Sequence, residues 1–267
     1  MNLSPLMNIA LKAVKSASKI MLRLFDRPDT VIIEKDNNEE NCLDSIISTE
    51  EMLEQEIIRV IHESYPTHAV LKKRGELIGT HDYTWILDPI NGTDNFIRKH
   101  PHFCISLGIR YRDRMEHGLI YDPLRQELFA ATFGVGAFLN DRRIRVSERK
   151  QLIESIMASE LGKDSGNLVM ALKMLASVTP QVAGIRGSGA GALDCAYVAC
   201  GRIDGIFGIG YSPWNTAAGI LMIREAGGLV TDFDGETKYF DSNNLIAANP
   251  RIAKALLRII KEKIGKN

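Results

Sequence analysis

A short stretch, residues 85–96, combines residue types that could bind a phosphate and a metal ion: WILDPINGTDNF. An apolar run ends at a carboxylate, Asp88, and Pro89 helps to fix the turn that follows. Gly92 lets the backbone approach a ligand closely, and the amides from Gly92 onward would open a helix towards an anion. Where a metal site would need a second carboxylate, however, the chain has Asn91. The stretch predicts a phosphate site with a weakened capacity to hold a cation.

A second helix start of the same kind lies in the run YSPWNTAAG. Ser212 is expected to be the N-cap, Pro213 suits the first turn, and Asn215 is held near the helix N-terminus. The loop GSGAG at 187–191 resembles a phosphate-binding loop only superficially, because it lacks the following Lys-Ser/Thr. Taken one at a time, these motifs predict no more than ordinary helix starts.

The elements that would position these motifs differ between the two halves of the chain. The first half starts with an amphipathic helix, expected to pack on a core, with a membrane-surface helix as the alternative. A second helix is predicted at 49–64 with Thr49 as its N-cap. Apolar or alternating runs then follow between Gly, Pro, Asp and Asn residues, which is typical of an antiparallel meander.

The second half alternates between α and β elements. Short apolar strands separate four predicted helices, near 165–177, 190–200, 213–227 and 250–264. The chain is therefore predicted to have a mixed α/β (α+β) fold. We expect two subdomains that share one interface, residues 1–147 and 148–267, with the boundary in the charged segment at 146–154.

Composition excludes several classes of function. The chain has 267 residues, 45% of them apolar, a formal net charge of zero and a pI near 7.0, which argues against nucleic-acid binding through bulk electrostatics. Its four cysteines show no metal-finger spacing, so a reducing cytoplasm is the expected location. No apolar run approaches the ~20 residues needed to cross a bilayer, so no membrane partner is expected.

Four motifs taken together, in their order along the chain, are more specific than any one of them: WILDPINGTDNF, GVGAFLND, RGSGAGALDCAYVACGRIDGIF and PWNTAAGILMIREAGG. They resemble the inositol monophosphatase family, most closely its bacterial SuhB-type members, and the similarity covers nearly the whole chain. The resemblance implies a layered α/β/α/β/α sugar-phosphatase fold, usually a homodimer, that hydrolyses a phosphate monoester with Mg²⁺. In the family, several carboxylates hold two or three magnesium ions that polarise the phosphate and activate a water.

The metal ligands that the resemblance implies are largely replaced. The Glu-Glu pair of the family falls on Lys72 and Lys73. The implied ligand positions, four side chains and one backbone carbonyl, are Lys72, Asp88, Ile90 (carbonyl), Asn91 and Asn215. Where the family has one Glu and three Asp side chains, this chain has one Lys, one Asp and two Asn, so the formal charge changes from −4 to 0. An ammonium donates no lone pair, and at ~4 Å and an effective dielectric of about 20 it repels a divalent ion by about 8 kcal/mol before relaxation.

Other family positions are also changed. The threonine and aspartate that orient the attacking water fall on Ile47 and Glu50, while a later threonine is retained as Thr93. The resemblance makes Thr93, and more weakly Glu50, the catalytic candidates. It places phosphate and substrate contacts at Gly92, Thr93, Ser188, Gly189, Ala190 and Gly208. A sugar-binding glutamate of the family falls on Gly208, so substrate recognition is expected to be impaired as well.

Three functions follow from this pattern. The favoured one is a catalytically dead or impaired family member that acts by protein interaction, because SuhB-type relatives are associated with transcription antitermination in ribosomal RNA synthesis; its partner would be an antitermination factor or RNA polymerase. The first alternative is a slow Mg²⁺-dependent hydrolase of inositol 1-phosphate. The second is a sensor of a phosphorylated small molecule, in which Lys72 supplies the charge of the lost metals and the Gly92–Thr93 region cradles the anion.

Overall fold

A computed structural model describes residues 4–27, 39–160 and 165–264 of the chain. These residues form eight α-helices: α1 (Pro5–Asp26), α2 (Glu39–Ser64), α3 (Thr93–Ile97), α4 (Ser165–Val178), α5 (Gly191–Ala199), α6 (Pro213–Glu225), α7 (Tyr239–Ser242) and α8 (Pro250–Ile264). Helix α2 begins well before the predicted start, so Thr49 lies inside the helix and is not its N-cap. The run before Thr49 contains no Gly or Pro, and the helix therefore continues through it.

The first sheet has eight strands in the order β2-β1-β3-β4-β5-β6-β7-β8. Their bounds are β1 (Ala69–Leu71), β2 (Leu77–Ile78), β3 (Tyr83–Asn91), β4 (Cys104–Tyr111), β5 (Arg114–Asp122), β6 (Glu127–Thr132), β7 (Gly136–Leu139) and β8 (Arg142–Arg143). The predicted antiparallel meander is confirmed from β3 to β8. Strand β1 departs from it, because β2 pairs with its outer edge and the chain then returns to place β3 parallel to β1.

The second sheet has five strands in the order β10-β9-β11-β13-β12. Their bounds are β9 (Ile156–Ala158), β10 (Gly184–Arg186), β11 (Gly205–Ile209), β12 (Leu229–Thr231) and β13 (Asn244–Ala248). Strands β9, β10 and β11 are parallel to one another, and β13 pairs antiparallel with both β11 and β12. The helices between the strands make the crossovers that parallel pairing requires.

The two sheets and three pairs of helices stack as five layers. Helices α1 and α2 cover the outer face of the first sheet, α5 and α6 lie between the sheets, and α4 and α8 cover the outer face of the second. Three apolar clusters hold the layers together: one under α1 and α2, one under α4 and α8, and one around the central helices that contacts both sheets. The layering is the α/β/α/β/α arrangement that the family resemblance implied.

Small residues let the central helices pack closely against their neighbours. A Cβ on Gly219 of α6 would lie 2.3 Å from the Cβ of Cys195 on α5, and a Cβ on Gly118 of β5 would lie 2.8 Å from the carbonyl oxygen of Ala218. Real Cβ atoms do not approach that closely, so glycine is required where α6 crosses α5 and the first sheet. Helix α6 begins at Pro213, beside the candidate site, and ends at Glu225, at the opposite end of the central helix layer.

Helix α1 packs on the core, as predicted. Ser4 caps it by accepting a hydrogen bond from the Met7 amide, and Pro5 occupies its first turn. One face is buried against α2 and the first sheet: Met7, Ala10, Ala13, Val14, Ala17 and Met21. The membrane-surface alternative is therefore not supported, since the apolar face is already covered. Among the described residues, no helix is long and apolar enough to span a membrane.

The proposed boundary between the halves lies in the segment that links the two sheets. The first sheet ends at Arg143, and the second begins at Ile156. Helix α6, from the second half of the chain, nevertheless packs along β3 to β7 of the first sheet. The division into subdomains 1–147 and 148–267 stays a prediction.

Candidate functional site

The candidate site forms where β3 ends and turns into α3. The pairing of β3 with β4 shifts register between Asp88 and Asn91, which brings both side chains to the end of the strand. Gly92 follows with φ +94°, in the left-handed region. A Cβ at this position would lie 2.8 Å from the carbonyl oxygen of His102. Only glycine fits both the conformation and the space, so the sharp turn of the motif depends on it.

The ammonium group of Lys73 occupies the centre of this site. Its Nζ donates to Glu50 Oε1 and to the backbone carbonyl of Ile90, both at 2.7 Å, and to Thr93 Oγ1 at 3.0 Å. It also lies 3.1 Å from Asp88 Oδ1. About one fifth of the Lys73 side chain is exposed, whereas the Asp88 side chain is 1% exposed. The ammonium therefore donates to three oxygens of α2, β3 and α3 and forms an ion pair with a fourth, on Asp88.

The protonated state of Lys73 is favoured by these neighbours. Burial lowers the pKa of the Lys73 ammonium, but Asp88 and Glu50 outweigh that effect, and its pKa is raised above the ordinary lysine value. The Lys73 side chain therefore stays protonated at neutral pH and holds one positive charge within the site.

Lys73, and not Lys72, is the lysine that enters the site. Lys72 is directed to the other side of the turn between β1 and β2, where its Nζ lies 3.1 Å from Glu54 and 2.8 Å from Glu76. The prediction that Lys72 supplies the charge of the lost metals is therefore wrong in its residue: Lys73 supplies it. Both lysines follow the last residue of β1, and Lys73 lies in the turn, where no regular alternation fixes the direction of a side chain. The sequence alone therefore did not decide which lysine faces Asp88.

Glu50 is brought to the site by α2 and is 7% exposed. Thr93 Oγ1 donates to Glu50 Oε1 at 2.7 Å, and Arg74 donates to Glu50 Oε2 at 3.1 Å. The predicted pair Glu50 and Thr93 is thus brought together. Both side chains are engaged with Lys73, however, and Ile47 lies one turn earlier on α2, half-buried and without a polar group.

The Asn91 side chain is fixed by two hydrogen bonds. Its Nδ2 donates to Asp88 Oδ2 at 2.8 Å, and its Oδ1 accepts from the Ala192 amide of α5 at 2.9 Å. The amide oxygen, which is the atom that could bind a cation, therefore faces the helix start. Its NH₂ group faces the carboxylate.

The residues present do not fit a magnesium ion. Mg²⁺ needs oxygen ligands at about 2.1 Å in near-octahedral geometry. The point on which Asp88, the Ile90 carbonyl and Thr93 converge is taken by the ammonium of Lys73, and the Asn91 group beside it is a donor. Within 4–27, 39–160 and 165–264, no three His, Cys, Asp or Glu side chains are arranged to hold a metal.

The second predicted helix start adjoins the lysine turn. Pro213 begins α6, and Asn215 lies half-buried in its first turn. Ser212 is the N-cap by position, but its side chain makes no capping hydrogen bond. The Trp214 ring lies 3.7 Å from the point where a Cβ on Gly75 would be. This helix start therefore lies beside the turn that carries Lys73.

The start of α5 is closed by the chain's own side chains. The Ala190 amide donates to Ser188 Oγ at 3.0 Å, and the Gly191 amide donates to the Glu160 carboxylate. The Ser188 carbonyl accepts from Asn95, and Gly189 turns with φ +70°. Together with the Ala192–Asn91 bond, these contacts satisfy the amides that would otherwise attract an anion.

Gly208 leaves space that an aromatic ring fills. A Cβ on Gly208 would lie 2.9 Å from Cε2 of Tyr211, and the Tyr211 side chain is 2% exposed. The Tyr211 hydroxyl accepts from the Glu160 amide at 3.3 Å. A glutamate at position 208, which the family resemblance implies, would therefore collide with this ring.

Two carboxyl groups beside the site, the buried Asp194 and the half-buried Glu160, were missed by sequence reasoning. Burial raises the pKa of Asp194 to about 7, and burial also raises the pKa of Glu160. Asp194 Oδ2 accepts from Ser188 Oγ at 2.7 Å, while its Oδ1 has no hydrogen-bond partner. Neither residue lies in a motif whose spacing indicates a role; the position of Asp194 in the first turn of α5 was the one available signal.

Replacing Asp194 with asparagine is expected to stabilise the protein by about 1–3 kcal/mol at about pH 8. The unfolded aspartate ionises near 3.8 and the folded one only near 7, so folding becomes less favourable as pH rises between these values. An amide removes that penalty and can still accept from Ser188. Urea unfolding at about pH 8 and about pH 5 should show the larger gain at the higher pH. Asp234→Asn, at an exposed carboxylate, is the control; an equal gain for both variants contradicts the explanation.

Comparisons with known proteins agree with this architecture. The inositol monophosphatase family profile matches residues 2–264. "Nus factor SuhB" of Pseudomonas aeruginosa PAO1 is 40% identical over 266 residues, with 97% of each chain covered. "Nus factor SuhB" of Escherichia coli K12 is 38% identical over 264 residues, with 98% of this chain and 97% of that protein covered.

Solved structures share the fold. The extragenic suppressor protein suhB from Bartonella henselae superposes with a TM-score of 0.86 at 35% identity, covering 97% of this chain and all of that chain. The inositol monophosphatase from Anabaena (Nostoc) sp. PCC 7120 gives a TM-score of 0.86 at 29% identity, with 98% of each chain covered. From its motifs, its five layers and these matches over nearly the whole length, the chain belongs to the inositol monophosphatase family and is of the SuhB type.

Proposed function

We propose that this protein is a non-catalytic family member that acts in transcription antitermination by binding other proteins. The observation that carries the first half of the proposal is the position of the Lys73 ammonium among the oxygens of Glu50, Asp88 and Ile90. A tethered +1 charge excludes a divalent ion from the same point, and metal-assisted attack of water on a phosphate ester then lacks its electrophile.

The proposed antitermination role rests on the relatives. Proteins 38–40% identical over nearly their whole length carry the name Nus factor SuhB. The chain retains the fold, but the charge of its phosphatase site is neutralised. Such a protein can still bind a partner through its surface, which requires no catalysis. The partner is an antitermination factor or RNA polymerase, which places the protein in the cytoplasm, and we expect a homodimer in solution.

One observation favours a second candidate, a slow Mg²⁺-dependent hydrolase. Glu50, Asp88, Thr93 and the Ile90 carbonyl still converge, so withdrawal of Lys73 would leave oxygen ligands behind. The sensor alternative has less support. Its proposed cradle includes Thr93, whose hydroxyl is bound to Glu50, and the amides at the start of α5 are already satisfied.

Two measurements test the proposal. The purified protein is expected to show no Mg²⁺-dependent hydrolysis of inositol 1-phosphate above the level of Asp88→Ala. Turnover that requires Mg²⁺ and is abolished by Asp88→Ala would instead establish the slow hydrolase. The protein is also expected to co-elute with purified RNA polymerase and Nus factors in gel filtration and to increase read-through in a reconstituted antitermination reaction. Absence of both effects refutes the antitermination role, whatever the result with inositol 1-phosphate.

A further inference from the structure

A separate cavity lies at the far end of α6, away from the Lys73 site. Its volume is about 340 Å³, and it opens between the β4–β5 turn, the β6–β7 turn and the segment that leads into α7. Helix α6 forms its floor through Ile220 and Leu221, which are 2% and 4% exposed. Small-molecule sites commonly have volumes of about 300–1,000 Å³ and lie where two layers or domains meet. The size and position of this cavity are those of a ligand site.

Three aromatic rings give the cavity its apolar wall. Tyr239 and Phe240 pack edge to face with ring centroids 4.9 Å apart. Phe133 is 49% exposed, although the Arg114 guanidinium lies 4.7 Å from its ring centroid on one side. The exposed part of this ring is apolar surface that a ligand would bury. Aromatic rings prefer tilted or offset contacts with other rings, so this wall favours an aromatic group in the ligand.

The charges around the cavity favour a ligand that carries a single carboxylate. The Arg114 charge is matched by Glu116 at 2.7 Å. Arg224 donates to the Tyr239 hydroxyl at 3.2 Å, and in the described part of the chain no carboxylate lies within 4.0 Å of it. A guanidinium with remaining donors binds a carboxylate or a phosphate well. Asp113 and Glu225 also line the cavity, however, and their charges disfavour a ligand as negative as a phosphate.

We propose that this cavity is a binding site for an aromatic carboxylate, with the ring among Phe133, Tyr239 and Phe240 and the carboxylate on Arg224. The same chemistry is offered by a free aromatic acid and by the carboxyl end of a peptide. The site goes beyond the proposed function, because no residue of it belongs to the Lys73 site.

The test uses the full-length protein and methyl NMR. N-Acetylphenylalanine is titrated in parallel with N-acetylphenylalaninamide, which lacks the carboxylate, and the methyl resonances of Ile220 and Leu221 report binding. The acid is expected to shift these resonances and to bind at least about tenfold more tightly than the amide. Arg224→Gln should reduce the affinity for the acid to that for the amide. Arg251→Gln, at an exposed arginine outside the cavity, should change neither.

A third probe, N-acetyl-glycyl-glycyl-phenylalanine, distinguishes a free aromatic acid from the carboxyl end of a protein chain as the ligand. Tighter binding than that of N-acetylphenylalanine assigns the site to the end of a protein chain, and equal or weaker binding assigns it to a free acid. Equal binding of acid and amide overturns the proposal. So does the lack of any shift up to about 10 mM of the acid, provided that the spectrum shows the protein to be folded.

Discussion

Replacing Lys73 with methionine is expected to lower the free energy of unfolding by about 3–5 kcal/mol. Methionine retains most of the length of the side chain but removes the ammonium. Asp88, with 1% of its side chain exposed, would then lose the cation beside it, and Glu50, with 9%, would keep its ion pair with the exposed Arg74. Removing one partner of a buried ion pair is costly because the other charge stays buried and uncompensated.

Urea unfolding followed by far-UV circular dichroism measures this effect. The matched control is Lys12→Met, because Lys12 is 61% exposed and its ion pair with Glu63 spans 3.6 Å. Exposed pairs contribute about 0–1 kcal/mol, so the control should remain close to the natural protein. If the Lys73 and Lys12 variants lose equal stability, the ammonium does not hold the site together, and the structural part of the proposal fails.

The second large effect is a gain in Mg²⁺ affinity, expected when carboxylates replace Lys73, Asn91 and Asn215. The variant Lys73→Glu, Asn91→Asp, Asn215→Asp should bind Mg²⁺ at least about a hundredfold more tightly than the natural protein, which corresponds to roughly 2.7 kcal/mol. The change makes the site four charge units more negative, two from Lys73 and one from each asparagine. It also removes the group that occupies the convergence point of the oxygens.

Isothermal titration with Mg²⁺ and Mn²⁺ provides the measurement, and circular dichroism checks that the variant is folded. The control carries Lys72→Glu in place of Lys73→Glu, with the same two aspartates. Because Lys72 pairs with Glu54 and Glu76 outside the site, this control should gain much less affinity. A control that binds as tightly as the Lys73 variant would show that the added charge matters and that the position of the lysine does not.

For this variant, metal affinity is a more direct measurement than catalytic turnover. The ring of Tyr211 fills the space beside Gly208, where the family resemblance implies a sugar-binding glutamate. Restoring the cation site therefore does not restore the substrate site. Any hydrolysis that the variant gains is expected to stay low until Tyr211 and Gly208 are changed together.

The fold was largely predictable because its signals are local. Alternating apolar strands give the antiparallel part of the first sheet, and four helices after residue 154 were placed within a few residues of their observed bounds. The start of α2 and the parallel pairing of β1 were not predicted. Asn38 and Thr49 are both residue types that cap helices, so the sequence offered two starts for α2. The parallel pairing of β1 with β3 requires the chain to form β2 on the other edge first, which no local pattern indicates.

The site was predictable in its components but not in its arrangement. The sequence by itself determined the losses: two asparagines and a pair of lysines at positions where the family has carboxylates. It also predicted that Gly92 allows a close approach of the backbone, although the structure shows the close neighbour to be the His102 carbonyl. These conclusions concern residue types, which determine charge and backbone freedom directly.

Only the tertiary structure decided what the replacements do. It directs Lys73 into the site and Lys72 out of it, turns the Asn91 amide towards Asp88, and closes the start of α5 with Glu160. The partners of these groups come from α2, β3, α5 and the segment after β9, which are far apart in the sequence. The direction of a side chain and the distance to its partner are set by that packing, and neither can be deduced from the residue type alone.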